Sequence, residues 1–270
     1  MAPELDPELA FLRELVLPAG ARLLEFLGRC GPVDRKGATE LVTDLDRRTE
    51  DLLTEGLGRR FPEDSIVAEE SGLTGGASGR IWYIDPLDGT TNYAHGHPFF
   101  CISLGLVQDD VLEAGVVFAP SLDELYLARR GQGVWLQRPG RGTEIALPRL
   151  QPVGLQDALL ATGFPYVRDE DVDRIVGLVR DFLKFPCHGV RRDGSAALDL
   201  VHVAAGVLDG FWELNLRPWD TAAGVLIARE AGALVTDFSG TEVALPHREV
   251  LAAAPGLHGQ MVELIRNPVV

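Results

Sequence analysis

Two aspartates three residues apart begin the segment DPLDGTTNY, residues 85–93, directly after the apolar run RIWYI. Mg²⁺ prefers hard oxygen ligands such as carboxylates, backbone carbonyls and water. Asp85 and Asp88 supply two carboxylates, and Pro86 fixes a bend between them. That bend can turn the Leu87 carbonyl toward the same ion. The segment therefore predicts a site for hard divalent cations.

The residues after Asp88 favour an anion at the same corner. Gly89 and Thr90 stand where a helix is expected to begin, and a helix N-terminus presents unpaired N–H groups to phosphate. An ordinary turn in which Asp88 caps that helix would explain Asp88 and Gly89 equally well. It would not explain Asp85, which ends an apolar strand at an edge where loops commonly carry functional sites.

The spacing of the two aspartates disfavours a covalent role for Asp85. Phosphatases that form an aspartyl-phosphate intermediate also carry Asp-Gly-Thr, but their nucleophile and acid follow an Asp-x-Asp pattern. Here the pattern is Asp-x-x-Asp, with Pro86 directly after the first aspartate. Metal ligation by Asp85 and Asp88 is therefore the preferred interpretation.

Three tracts of the chain together resemble the signatures of one known family, the magnesium-dependent inositol monophosphatases. WYIDPLDGTTNYAHGHPF (82–99) resembles the central signature, AEES (68–71) the upstream acidic motif, and PWDTAAGVLIAREAGALVTDFSG (218–240) the C-terminal signature. KGATELVTDLD (36–46) and ATGFPY (161–166) resemble further segments, in the family's order. The resemblance implies an α/β fold, a layered αβαβα sandwich of the sugar-phosphatase type, with an α+β N-terminal part.

The resemblance implies five ligands for two or three Mg²⁺ ions: Glu69, Asp85, the Leu87 carbonyl, Asp88 and Asp220. Glu70 is expected to face away from them, because side chains alternate along a strand. Asp220 follows Pro218 at the start of a predicted helix, where compensation of the helix dipole would also account for it. Four carboxylates at one site repel one another and resist ionisation, and divalent cations reverse that balance.

The same resemblance implies catalytic roles. Thr90 and Asp46 would orient and deprotonate an attacking water, with Glu69 close by, and the backbone amides of Gly89 and Thr90 would bind the phosphate. Asp46 could instead merely belong to an acidic first helical turn. Lys36 lies in a predicted loop, where a lysine is usually solvated; the resemblance makes it a candidate contact on a metal-binding loop.

A substrate pocket is also implied by the resemblance. Glu213, at the end of the predicted strand GFWEL, would accept a hydrogen bond from a sugar-alcohol hydroxyl. Arg191 and Arg192 are candidates for the outer wall of the pocket, or else ordinary surface charges. The residues placed beside the substrate ring are Gly194, Ser195 and Ala196.

These features predict hydrolysis of a small polyol phosphate monoester, with myo-inositol monophosphate preferred and inhibition by lithium implied. Fructose-1,6-bisphosphatase, histidinol-phosphatase and nucleotide-bisphosphate phosphatase activities are alternatives on the same fold. An alternative of another class is a regulatory protein that retains the phosphatase fold and binds a partner.

Composition narrows the expected partners and compartment. Forty acidic against 25 basic residues give a net charge of −15, which disfavours a nucleic-acid backbone or an anionic membrane as partner. The acidic start MAPELDPELAF lacks the basic and apolar regions of a secretory signal, and three scattered cysteines suggest no disulfide framework. A cytoplasmic location is therefore expected. The resemblance implies a homodimer, and the close pair His95 and His97 is interpreted as a loop feature.

The elements that position these residues divide into two predicted parts, 1–140 and 141–270. The first part, which carries most of the metal ligands, begins with a helix at Asp6 that is expected to kink at Pro18. A second helix is predicted from Thr43 to Gly58, and a glycine-rich loop at 71–80. The strands of an antiparallel sheet are predicted at 65–69, 80–85, 100–107, 111–119, 124–130 and 133–137.

The second part alternates strands with helices, which is typical of α/β proteins, and is expected to complete the site and the substrate pocket. Its predicted strands are 159–163, 210–214, 233–238 and 249–254. Its predicted helices are 172–183, 194–206, 218–232 and one that ends near Arg266.

Overall fold

The computed structural model of the protein describes residues 5–28, 33–35, 41–164, 170–242 and 248–268. Lys36 and the last two residues of ATGFPY therefore lie outside the described residues. None of the helices within these ranges combines the length and the hydropathy that a bilayer-spanning segment requires.

The helices are α1 (Pro7–Phe26), α2 (Asp44–Arg60), α3 (Thr90–Ala94), α4 (Glu170–Lys184), α5 (Ala196–Ala204), α6 (Pro218–Ala231) and α7 (His258–Arg266). The strands are β1 (Val33–Arg35), β2 (Leu41–Thr43), β3 (Ser65–Ala68), β4 (Gly72–Thr74), β5 (Arg80–Asp88), β6 (Cys101–Gln108), β7 (Val111–Ala119), β8 (Glu124–Arg129), β9 (Val134–Arg138), β10 (Thr143–Ala146), β11 (Leu159–Thr162), β12 (Gly189–Arg191), β13 (Gly210–Leu214), β14 (Leu234–Thr236) and β15 (Glu249–Ala253). β1 and β2 pair only with each other.

Eight strands form a large sheet in the order β10-β9-β8-β7-β6-β5-β3-β4. Neighbouring strands are antiparallel throughout, except that β3 and β5 run parallel. The predicted antiparallel sheet is therefore confirmed with one exception. β4 lies inside the stretch that was predicted to be a loop, because Gly72, at φ 78°, turns the chain back along β3.

Five strands form a smaller sheet in the order β12-β11-β13-β15-β14. β11 is parallel to both β12 and β13, whereas β15 is antiparallel to β13 and β14. The predicted alternation of strands and helices in this part is confirmed. The sequence analysis missed β12, because three residues are too few for a recognisable alternation of side chains.

The helices and sheets stack in five layers. α1 and α2 pack on one face of the large sheet, and α5 and α6 pack on its other face. α5 and α6 thus lie between the two sheets and share an apolar core with both. α4 and α7 cover the outer face of the smaller sheet. This order confirms the predicted αβαβα sandwich; because β10 at 143–146 still belongs to the large sheet, the boundary at residue 140 stays a prediction.

The first two helices begin where the sequence predicts. Asp6 caps α1, and its Oδ1 accepts a hydrogen bond from the amide of Glu8 at 2.9 Å. α1 continues past Pro18, so that proline does not end the helix. α2 runs to Arg60, beyond the predicted end at Gly58, because its last turn is paired through backbone bonds to the following residues.

β5 is longer than predicted, and the difference bears on the site. The sequence analysis ended it at Asp85, but it pairs with β6 as far as Asp88, across a bulge between those two aspartates. Pro86 cannot donate a ladder hydrogen bond, so a bulge is where a sheet tolerates it. Bulges re-aim side chains, and here Asp85 is buried whereas Asp88 is partly open to solvent.

α6 lies close to the large sheet because two strand residues lack side chains. A Cβ at Gly105 on β6 would lie 2.6 Å from the Cβ of Ala222, and one at Gly115 on β7 would lie 2.9 Å from the carbonyl oxygen of Ala223. Interiors this tightly packed have no room for an added carbon. The two glycines therefore set how deeply the helix that begins next to Asp220 sits on the sheet.

Substitution of Gly105 by Ala is expected to destabilise the fold by about 1–3 kcal/mol, because the added methyl collides with backbone that cannot move alone. The matched control is Gly177→Ala in α4, where a Cβ would meet no atom within 4 Å. That change is expected to stabilise the protein by about 0.5–1 kcal/mol. Urea unfolding of both variants measures the difference. A Gly105→Ala protein as stable as the wild type would contradict the close approach of α6.

Candidate functional site

A cleft opens where β5 ends and where α3, α5 and α6 begin. Its floor is acidic, and it brings together residues from three distant parts of the chain: Glu69, Asp85, Leu87, Asp88 and Asp220. These are the five metal ligands that the sequence analysis named. The cleft also reaches Gly89 and Thr90, the two residues predicted to bind phosphate.

The bulge of β5 organises the centre of this floor. Asp85 Oδ1 accepts the amide of Leu87 at 2.9 Å, which closes a tight turn around the proline. The Thr90 hydroxyl lies 2.9 Å from the Leu87 carbonyl oxygen and 3.0 Å from Asp46 Oδ1. Its single proton goes to one of these two acceptors. Asp46, in the first turn of α2 and 1% exposed, is therefore in hydrogen-bonding contact with Thr90, and its catalytic role stays a prediction.

Asp88 is held by the start of α5. Its Oδ2 accepts a hydrogen bond from the Ser195 hydroxyl at 2.7 Å and from the amide of Ala197 at 2.8 Å, and the Cys101 thiol lies 3.9 Å away. Ser195 was predicted to lie beside the substrate ring. Its side chain is buried and its hydroxyl donates to this carboxylate, whereas its place beside a substrate ring stays a prediction.

Asp220 both caps the start of α6 and lines the cleft. Its Oδ2 accepts the amide of Arg217 at 2.6 Å, so that it forms part of a capping box at the start of α6. Its side chain also lines the cleft. Capping the helix and facing the floor are therefore not alternatives for this residue.

The turn that carries the upstream glutamates is fixed by a residue that the sequence analysis missed. Glu50 on α2 is 3% exposed, and its two carboxylate oxygens accept the amides of Glu70 and Ser71, each at 2.8 Å. Glu69 lines the cleft, whereas Glu70 is absent from the described lining. This arrangement agrees with the expectation that Glu70 faces away.

The floor concentrates negative charge. Burial raises the pKa of Asp85 well above its usual range, and the charges of Glu69, Asp88 and Asp220 raise it further. Burial also raises the pKa of Asp88 to about 6, against the opposing hydrogen bonds from Ser195 and Ala197. The pKa of Asp220 rises for the same reasons, burial first and then Asp88.

This donor set fits hard cations. It consists of four carboxylates and a carbonyl, and neither Asp85 nor Asp88 forms a salt bridge with a described residue. Within the described ranges, no three acidic, histidine or cysteine side chains are already spaced to coordinate one ion. Hydrogen bonds from amides and a hydroxyl hold Asp85, Asp88 and Asp220 in place. Bound cations would supply the positive charge that neutralises these carboxylates.

The end of the cleft where α3 begins depends on a glycine. Gly89 has φ 92°, and a Cβ there would lie 2.9 Å from the carbonyl oxygen of Phe99. Only glycine adopts this conformation at such a close approach without strain. The chain then enters α3 at Thr90. His95 and His97 lie exposed beyond that short helix, as the loop interpretation expected.

The other end of the cleft is lined by a carboxylate, a guanidinium, an aromatic ring and small residues. Its wall contains Phe164, Arg192, Gly194, Ala196, Glu213 and Leu216. The Arg192 guanidinium lies 5.3 Å from the centre of the Phe164 ring, a cation–π contact at the mouth. Arg191 is exposed and takes no part in the described lining, in keeping with an ordinary surface charge. A Cβ at Gly163 would lie 1.9 Å from Glu213 Oε1, so a larger residue there would displace that carboxylate from its present position.

The chain as a whole matches a known family model. The model described as "Inositol monophosphatase family" covers residues 4–269. The chain belongs to the inositol monophosphatase family. The metal dependence of this family agrees with the acidic floor of the cleft.

Individual members of the inositol monophosphatase family resemble the chain over most of its length. A protein of Neisseria meningitidis serogroup B named "Putative Nus factor SuhB" is 41% identical over 250 residues, which cover 92% of this chain and 93% of that protein. A protein of Synechocystis sp. named "Inositol-1-monophosphatase" is 38% identical over 270 residues, 97% of this chain and 90% of that protein. The crystal structure of extragenic suppressor protein suhB from Bartonella henselae has a TM-score of 0.90 and 32% identity, covering 98% and 100% of the two chains.

The raised pKa of Asp88 predicts how the stability of the folded protein depends on pH. Because its pKa is about 6 in the folded protein, the folded state holds the proton at pH values where the unfolded chain has lost it. Stability therefore falls as the pH rises from about 4 to 6, and the loss persists above that range. Without divalent metal at pH 8, Asp88→Asn is expected to raise the free energy of unfolding by about 1–3 kcal/mol.

The measurement is urea unfolding in chelator at pH 4.5 and pH 8, repeated with Mg²⁺. The advantage of Asp88→Asn is expected to be small at the lower pH, and added metal is expected to reverse it at the higher pH. Asp157→Asn is the control, because Asp157 is exposed and does not belong to the described lining of the cleft. A metal-free Asp88→Asn protein that is less stable than the wild type at pH 8 would refute this electrostatic account.

Proposed function

We propose that this protein hydrolyses a small polyol phosphate monoester in a Mg²⁺-dependent reaction, with myo-inositol monophosphate as the first candidate substrate. One observation carries the proposal: four carboxylates from three parts of the chain line one cleft, next to a glycine turn that starts a helix. Membership of the inositol monophosphatase family and a relative named inositol-1-monophosphatase support the same reaction.

The residues that would hold two or three ions are Glu69, Asp85, the Leu87 carbonyl, Asp88 and Asp220. When bound, the cations supply Lewis-acid activation of water and stabilisation of the charge on the transferring phosphoryl group. The same ions neutralise the floor, whose carboxylates otherwise repel a phosphate.

Thr90 and Asp46 would orient the attacking water and help to remove its proton. If the Thr90 hydroxyl donates to Asp46 Oδ1, its oxygen keeps a lone pair that can accept a hydrogen bond from the water. Asp46 then holds Thr90 in the orientation that favours this acceptance. The amides at Gly89 and Thr90 face the phosphate oxygens, so that charge developing there meets fixed donors.

The leaving group would lie toward the other end of the cleft. The Glu213 carboxylate accepts a hydrogen bond from a hydroxyl of the polyol, while Gly194 and Ala196 leave space for its ring. Arg192 on Phe164 forms the outer wall. This combination of one carboxylate and small residues suits a neutral, hydroxyl-rich group better than a base.

Several finer points stay proposals. Mg²⁺ as the physiological ion, inhibition by lithium, a homodimer, a cytoplasmic location and no nucleic-acid partner all derive from the sequence. A contact from Lys36 and a direct substrate contact from Ser195 belong with them. Fructose-1,6-bisphosphate, histidinol phosphate and nucleotide bisphosphates are the competing substrates.

A phosphate-release screen over these substrates, with and without Mg²⁺, tests the proposed activity. The expected result is Mg²⁺-dependent turnover, with inositol 1-phosphate giving the highest kcat/KM. Glu69→Gln is expected to lower kcat by about a hundredfold or more, because it removes one ligand charge from the floor. Glu70→Gln, the neighbouring matched control, is expected to change kcat by less than about threefold. Equal losses in the two variants, or better turnover of a bisphosphate, would contradict the proposal.

A role in transcription is a second candidate function. It is favoured by the relatives named Nus factor SuhB, one of which is 41% identical to this chain over 250 residues. The net charge of −15 makes direct binding to a nucleic-acid backbone unfavourable, so the partner would be a protein. Such a role does not require the carboxylates of the cleft.

Affinity purification from native lysate separates the two functions. Asp88→Asn is expected to abolish phosphate release, and a transcription protein that co-purifies equally with the wild type and with this variant would support the second role. If no transcription protein is enriched over an untagged control, the second candidate is rejected.

A further inference from the structure

A buried carboxyl behind the substrate end of the cleft takes no part in the reaction proposed above. Asp199, near the start of α5, is 1% exposed, and neither of its carboxyl oxygens has a hydrogen-bond partner among the described residues. Buried polar groups in folded proteins nearly always have a partner, either a protein group or an ordered water. Asp199 therefore points to a bound group that its side chain holds.

The charges that act on Asp199 show that Glu213 is a neighbouring group. Burial raises the pKa of Asp199 well above its usual range, and among nearby charges Glu213 raises it most, followed by Asp193 and Asp88, while Arg192 lowers it. α5 packs directly on β13, the strand that carries Glu213. Burial and these neighbouring charges favour the protonated form of Asp199, and a protonated carboxyl can donate a hydrogen bond.

Glu213 is the group that would benefit from such a donor. Its carboxylate lines the cleft, lies over the backbone at Gly163, and receives no hydrogen bond from a described residue. A carboxylate that is to accept a substrate hydroxyl must be held in one orientation, since a freely rotating side chain loses entropy on binding. Within the described lining the Arg192 guanidinium attracts this carboxylate electrostatically, but no hydrogen bond fixes its rotation.

We propose that Asp199 is a positioning residue for the leaving group: its carboxyl holds one internal water against the Glu213 carboxylate, and so fixes Glu213 for a hydroxyl of the substrate. The water bridges two groups that do not touch directly, as buried waters commonly do. Asp199 itself does not touch the substrate. The inference rests on the proposed polyol phosphatase activity. It deepens that proposal, because it says that Asp199 on α5 orients Glu213, the residue that accepts the substrate hydroxyl.

The chemistry predicts which substitutions are tolerated. Asn keeps the shape of Asp199, stays neutral and retains a donor, so Asp199→Asn is expected to preserve the bridge. Ala removes the donor and the acceptor together. A lost hydrogen bond to a charged group corresponds to a loss of roughly tenfold in binding.

Steady-state kinetics with Mg²⁺ and two substrates test the inference. With inositol 1-phosphate, Asp199→Ala is expected to raise KM about tenfold and to change kcat less than about threefold. With p-nitrophenyl phosphate, whose leaving group offers no hydroxyl to Glu213, KM is expected to stay within about twofold. Asp199→Asn is expected to match the wild type within about threefold on both substrates. Equal effects on both substrates, or an Asn variant as impaired as the Ala variant, would overturn the proposal.

Infrared spectroscopy tests the same point if the Ala variant fails to fold. The difference spectrum between wild type and Asp199→Asn is expected to contain the carbonyl band of a protonated carboxylic acid at neutral pH, and Glu213→Gln is expected to shift it. A missing band, or one that Glu213→Gln leaves in place, counts against the proposal. A wild-type protein without activity on inositol 1-phosphate would reject the proposed function, and the infrared result would still decide the role of Asp199.

Discussion

Repulsion between buried carboxylates is the constraint on which the rest of the site depends. Asp85, Asp88 and Asp220 share one cleft; burial raises the pKa of each, and the neighbouring carboxylates raise those of Asp85 and Asp220 further. Each is held by backbone amides: those of Leu87, Ala197 and Arg217. The fold thus supplies enough donors to keep the acidic groups in place and too little charge to neutralise them, which is the condition under which a hard cation binds.

The layered architecture explains how such distant residues meet. α5 and α6 form the layer between the two sheets, and both begin at the cleft. The amide of Ala197 at the start of α5 holds Asp88 of the large sheet, and the hydroxyl of Ser195 does the same. On the opposite face of that sheet, α2 contributes Asp46 behind Thr90 and Glu50 beneath the upstream glutamates. Three layers therefore cooperate in a single floor.

The sequence was sufficient for those parts of the fold and the site that depend on local pattern or on a motif. The cap at Asp6, most strands and the residues of the floor could be predicted in this way. The bulge that carries β5 to Asp88 could not be, because it depends on pairing with a strand that follows a separate turn. The hydrogen bonds of Ser195 and Glu50 could not be predicted for a related reason: their partners lie far away in sequence, and a single hydroxyl or carboxylate carries no signal of its direction.

The two strand glycines beneath α6 have a consequence for ion selectivity. Since Gly105 and Gly115 bring helix backbone against sheet backbone, the separation between Asp220 and the bulge of β5 is set by packing rather than by whatever ion arrives. A rigid frame of oxygen ligands discriminates by ionic radius, and Mg²⁺ and Ca²⁺ differ in the ligand distances that they accept. If the cleft holds a metal as proposed, two hydrogen atoms in place of side chains would thus help to determine which ion it prefers.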